Sequence, residues 1–179
     1  MKKKMGYFLF ALLLPAFGTK AQSMNEATAA QLKMLLQFQG FWETNAATLQ
    51  MDGKEQHFAY TADFKTTADN NGFTMIEKAN IPGMGKLYGA NLAGVSPNDG
   101  KIHWFSVDNL GTTHEHTGLF TDSRHFSMTH TGLQNGKEYL ETISVTFDGK
   151  GLMHMKETAT LDGKTLLVIT GTFHRRKKN

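Results

Sequence analysis

The chain has 179 residues, with 19 Lys and Arg against 16 Asp and Glu, and no cysteine. The missing cysteine excludes a disulfide framework, a cysteine nucleophile and a lipid-modified cysteine anchor. Four basic residues (Lys2, Lys3, Lys4 and Lys20) fall in the first 22 positions, which leaves 15 bases against 16 acids, a net charge near −1 and no electrostatic footprint for nucleic acid.

The opening 22 residues read as a secretory signal peptide. Lys2–Lys4 form a basic start, Tyr7–Leu14 an apolar run, and Thr19-Lys20-Ala21 a small-x-small cleavage site. The apolar run is shorter than the roughly 20 residues a membrane helix needs, and no later stretch is long enough. The expected mature protein is therefore soluble and periplasmic or extracellular, without stable membrane insertion. Removing residues 1–22 from 179 leaves 157, the size of one domain. That domain is read over 23–174, with 175–179 as a basic tail. The tail reads as a solvated terminus, with contact to an anionic surface as the other option.

A short helix follows. Ser23 and Glu26 have the spacing of a capping box, and Leu32, Leu35, Leu36 and Gln39 fall on one helical face. Gly40 is placed just past the helix end. Phe41 and Trp42 then open the first extended segment, and Gly40-x-Trp42 suits the plugged base of a small barrel. An ordinary helix-to-strand turn with core aromatics accounts for the same residues.

From there the chain alternates strand and turn. Expected strands are Phe41–Met51, Lys54–Phe64, Phe73–Asn80, Leu87–Val95, Lys101–Asp108, Thr112–Phe120, Arg124–Thr131, Lys137–Phe147, Gly151–Leu161 and Thr165–His174. Asp52-Gly53, Asn135-Gly136 and Asp162-Gly163 are strong hairpin signals between them. Even spacing and tight links predict an all-β, antiparallel up-and-down barrel of about ten strands with one N-terminal helix.

The motifs Leu35-x-x-x-x-Gly40-x-Trp42, Gly85-Lys86-Leu87-Tyr88-Gly89, Gly94-Val95-Ser96 with Asp99-Gly100-Lys101, and Ser106-Val107-Asp108 resemble those of a family of bacterial exported proteins of unknown function. That resemblance implies a calycin-type, lipocalin-like barrel and brings no activity. Gly40-x-Trp42 alone is also similar to the nitrobindin and fatty-acid-binding barrels. The haem-binding relatives carry another glycine two residues after the tryptophan, where this chain has Thr44.

Alternation nominates the candidate site. On the hairpin Thr112–Thr131 the even positions hold His114, His116, Phe120, Phe126, Met128 and His130, and the aromatics and methionine turn that face inward. A three-residue link at Thr121–Ser123 pairs Phe120 with Arg124, His114 with His130 and His116 with Met128. On the next strand Tyr139 and Glu141 share the inward face, as Phe73, Met75 and Glu77 do on an earlier one. The expected ligand-binding set is His114, His116, His130, Tyr139, Glu141, Phe126 and Met128, with Gly40 and Trp42 structural.

Three roles for the histidines stay open: hydrogen-bonded structural groups, polar anchors for a ligand, or ligands to a metal or haem iron. The metal set would be His114, His116 and His130, with Glu141 as a possible fourth. Glu115 falls on the opposite face. Met75, Met128, Met153 and Met155 read as adaptable core filling.

No nucleophile elbow, His-Glu-x-x-His helix or phosphate loop is present, so the sequence nominates no catalytic residue and names no cofactor. The expectation is a barrel binding a small apolar or amphipathic molecule. A metal- or haem-binding protein and a structural envelope module with a filled interior are the alternatives.

Overall fold

The computed structural model describes residues 25–176. The signal peptide expected at residues 1–22, Ser23, and residues 177–179 of the basic tail lie outside them. The helix α1 (Glu26–Leu35) starts differently from the expected capping box, because Asn25 is its N-cap and accepts from the Thr28 amide at 2.8 Å. Glu26 is thus the first helical residue rather than the third.

The helix tightens into a 3₁₀ turn over Leu36–Phe38. Dropping from 3.6 to three residues per turn rotates the end of the expected face. Leu35 stays buried, Gln39 turns to solvent, and Phe38 swings inward at 1 % exposure. Its ring lies 5.0–6.2 Å from those of Phe64, Phe73, Trp104, Phe120, Phe126 and Phe147. Phe38 is therefore the centre of the plug, and most of these pairs meet edge to face or tilted, the geometry aromatic quadrupoles favour.

Ten strands follow: β1 (Gly40–Met51), β2 (Lys54–Thr66), β3 (Gly72–Ile81), β4 (Gly85–Val95), β5 (Ile102–Asp108), β6 (Thr113–Phe120), β7 (His125–Gln134), β8 (Lys137–Phe147), β9 (Leu152–Leu161) and β10 (Lys164–Arg175). Each pairs antiparallel with its sequence neighbour, and β1 also pairs with β10, closing the barrel. The hairpin signals act as read. Asp52 and Gly53 have φ of 52° and 70°, and Asn135-Gly136 and Asp162-Gly163 repeat this double positive φ, the two-residue turn that matches strand twist.

One irregularity keeps β1 facing inward. The β1–β2 register shifts between Thr44 and Ala47, so the buried positions change from Trp42 and Thr44 to Ala47 and Leu49. A bulged residue absorbs the change of parity.

Gly40 opens β1 at φ 124°, and a Cβ there would lie 3.3 Å from the Arg175 side chain. Trp42 is 1 % exposed and its indole donates to the Phe38 carbonyl at 2.7 Å, which ties the plug to the first strand. Gln31 holds the helix from the other side: it exchanges two hydrogen bonds, of 2.9 and 2.8 Å, with the backbone of Phe120.

Two of the tail bases are not a loose terminus. Arg175 belongs to β10, stacks over Trp42 and donates to the Gln37 carbonyl at 2.6 Å. Arg176 pairs with Glu43 and covers the Phe41 ring.

Candidate functional site

The aromatic plug fills the helical end of the lumen, and polar side chains gather above it. Phe126 and Met128, expected as ligand contacts, are 2 % and 4 % exposed and belong to this floor. The histidines stand on the same inward face, as alternation requires. His116 is buried, His114 and His130 half-buried. Outside the wall, Glu115 bonds His103, whose other ring nitrogen meets Asp99.

The hairpin register differs from the expected one by two residues. Phe120 pairs with Phe126 and Gly118 with Met128, so the expected pairings of Phe120 with Arg124, His116 with Met128 and His114 with His130 are all displaced. The cause is Asp122, whose Oδ1 accepts from the Arg124 and His125 amides at 2.8 and 2.9 Å. This side-chain turn spends two more residues on the loop. An even slip preserves which face each side chain takes. The three rings therefore still meet, with His114 and His130 stacked at 4.2 Å and 18°, and His114 and His116 edge to face at 4.5 Å.

Glu141 is the hub. One carboxylate oxygen lies 3.1 Å from His116 Nε2; the other accepts from Tyr139 OH at 2.9 Å and sits 3.7 Å from His114 Nε2. Burial alone would raise its pKa, but the His116 hydrogen bond and charge, Tyr139 and His114 together hold it below the usual value. An ionised Glu141 accepts, so His116 donates from Nε2. Its Nδ1 is then left buried without a partner among the described residues. His130 uses Nδ1 on the Glu115 carbonyl at 2.8 Å. Burial lowers the His114 pKa and favours its neutral form. Desolvation and the Glu141 charge push Tyr139 up, keeping it a donor.

A second network lies on the neighbouring wall. Tyr60 OH and Asn91 Nδ2 both donate to Glu77, the latter at 2.9 Å. Asn91 Oδ1 accepts from Trp104 Nε1 at 2.9 Å and Ser106 Oγ at 2.6 Å. Gly89 makes room for it, since a Cβ there would collide with the Glu77 carboxylate. Burial raises the Glu77 pKa despite those donors, and the Tyr60 phenol rises through burial and then the Glu77 charge.

Glu157 completes the ring from β9. It faces inward with Met153, Met155 and Ala159 and is half-buried. Burial first, then the charges of Glu141 and Glu77, push its carboxyl up to about 8. Alternation on Leu152–Leu161 would have found it, but its methionine neighbours read as core. Asn91, Trp104 and Ser106 carried no such signal, because their partners lie on other strands.

Two surface grooves lie away from this ring. One of about 360 Å³ cuts between Thr44 and His154 where β1 and β10 leave a gap in their pairing, and one of about 550 Å³ runs outside the wall past Leu92, Phe105 and His103. Neither is lined by the inward carboxylates or by the three clustered histidines.

No family model matches the sequence, and no curated protein does. By structure the chain is similar to Rv2717c from M. tuberculosis, whose crystal structure superposes with a TM-score of 0.57 at 15 % identity over 86 % of this chain and 99 % of that one. At that identity the likeness is one of fold.

Proposed function

We propose that the barrel binds a small apolar or amphipathic molecule in its lumen. The observation that carries this reading is the ring of Glu77, Glu141, Glu157 and the three histidines set directly above an aromatic floor. A concave apolar site with a few convergent polar groups is how proteins orient small ligands. Trp104 belongs to the floor and bonds the ring through Asn91, so its emission reports on occupancy. Titration with the neutral dye N-phenyl-1-naphthylamine tests the reading. Saturable one-to-one binding with a change in Trp104 emission supports it, and its absence contradicts it.

The amino-terminal pattern supports an exported location. A mature chain starting at Ser23, read by mass spectrometry, is the expected result; retention of residues 1–22 opposes it.

A metal reading has one observation in its favour. Donor atoms of His114, His116 and Glu141 lie within 4.8 Å of one another, and His130 is outside this group. The nearest approaches are 3.1 Å from His116 to one Glu141 oxygen and 3.7 Å from His114 to the other. Opposing it, a metal-bound imidazole normally donates its second N–H to a partner, and His116 Nδ1 has none among the described residues. Elemental analysis after equilibration with zinc decides between the two. Haem iron would draw on the same imidazoles, and a Soret band in protein purified with haem supplied tests that case.

A further inference from the structure

A closed barrel has no free sheet edge, so a molecule reaches its lumen at an end or where neighbouring strands part. The helical end is filled by the plug around Phe38. At the other end, the side made by β10 and β1–β4 is packed with Leu49, Phe58, Ile81, Leu87 and Ile169. The hairpin of β6 and β7 is different. Its ladder joins only Thr117–Phe120 to Phe126–Thr129, although β6 begins at Thr113 and β7 runs on to Gln134. Beyond that point each strand keeps its outer neighbour, β6 with β5 and β7 with β8, but among the described residues no ladder pair joins the two. The gap between β1 and β10 is of another kind, because those strands pair again on both sides of it, at Glu43–His174 and Thr48–Thr170. The split between β6 and β7 runs out to the rim.

A side chain spans the split where the backbone does not. His130 donates from Nδ1 to the Glu115 carbonyl at 2.8 Å, so one imidazole stands in for the missing ladder bonds. The inward face beside the split carries His114, His116 and His130, and the next inward position on β7 is Gly132. Accessibility along that face rises toward the rim, from buried Met128 through half-buried His130 to exposed Gly132. A Cβ at Gly132 would meet only the His130 ring, 3.3 Å away, so this position leaves the mouth of the split clear. On the outer face, Leu133 at 76 % exposure and the nearby Leu140 form an apolar lip.

We infer that small apolar or amphipathic molecules enter the lumen sideways, through the split between β6 and β7, with His130 as its latch. This rests on the lumen-binding reading above and adds the route by which the site fills. Widening the split breaks one side-chain hydrogen bond, whereas parting an intact ladder breaks a run of backbone bonds. An entering molecule meets hydrocarbon first, at Leu133 and Leu140, and then the imidazoles around Glu141.

Stopped-flow fluorescence of N-phenyl-1-naphthylamine with the full mature chain tests the inference. Gly132→Phe fills the mouth and should slow association and dissociation by about tenfold each while Kd moves less than about threefold, since an obstruction raises the barrier and leaves the end states alone. His130→Ala should quicken association by about threefold or more although it binds more weakly; a residue that only touches the ligand would change dissociation alone. The chain has no cysteine, so Glu115→Cys with Thr131→Cys supplies the sole thiol pair, set opposite across the split by the continued register. A reducible cross-link between them should slow both rates, and reduction should restore them in the same sample, a comparison that stands even if Gly132→Phe folds poorly. Unchanged rates in the obstructed and cross-linked proteins overturn the route and leave lumen binding intact. Unchanged association in His130→Ala overturns the latch. If the wild type takes up no dye, lumen binding itself fails, and the inference with it.

Discussion

His116 Nε2 lies 3.1 Å from Glu141 Oε1 on the inward face of the barrel, with the opposite ring nitrogen unpartnered among the described residues. The pair joins β6 to β8 across the inward face. Replacing His116 by Ala leaves Glu141 buried with a lost partner, and should cost about 3 kcal/mol in denaturant unfolding. Glu141→Gln keeps the shape and should cost less, about 1 kcal/mol. Equal losses in the two variants would show that the pair is ordinary packing.

Glu141 and Glu157 give stability opposite dependences on pH. The folded Glu141 carboxyl titrates below its ordinary 4.5, so its contribution is present above that value and is lost as pH falls through the folded pKa. Glu157 is raised from 4.5 to about 8, so the folded protein binds the extra proton and stability should decline as pH rises across that interval. Thermal unfolding between pH 4.5 and 8.5 should show this decline in the wild type and a flatter profile in Glu157→Gln. An unchanged slope in the variant would remove Glu157 from the account.

Phe38 sits where the helical plug meets the aromatic floor. Phe38→Ala should destabilise the barrel by about 3–5 kcal/mol, the range for emptying a large aromatic site. Far-UV circular dichroism should still show a sheet protein at low denaturant, because strand pairing does not pass through this ring.

His114 and His130 stack at 4.2 Å near the rim, where both are half-buried. The double variant His114→Ala, His130→Ala should keep cooperative unfolding and lose about five- to tenfold in N-phenyl-1-naphthylamine affinity, the scale of one hydrogen bond. Global unfolding of the double variant would make the pair core structure instead.

Much of this architecture is written locally. Asp52-Gly53, Asn135-Gly136 and Asp162-Gly163 define their own turns, and period-two alternation places His114, His116, His130, Tyr139 and Glu141 on one face without tertiary information. Register at Thr121 is not local in that sense, because the Asp122 side chain had to choose its amides. Phe38 lies off the helical pattern because a 3₁₀ turn displaces positions extrapolated at 3.6 residues per turn. Arg175 and Arg176 read as a charge run, because their chain neighbours say nothing of Trp42 and Glu43, more than 130 positions away. Glu157 lay within reach of alternation, but its link to Glu77 appears only when the barrel closes.

Native mass spectrometry of the protein recovered from its own compartment tests lumen binding most directly. The account requires a one-to-one complex with a small amphipathic molecule that dissociates on denaturation. A bare polypeptide mass from every preparation, together with no saturable uptake of N-phenyl-1-naphthylamine, would contradict it.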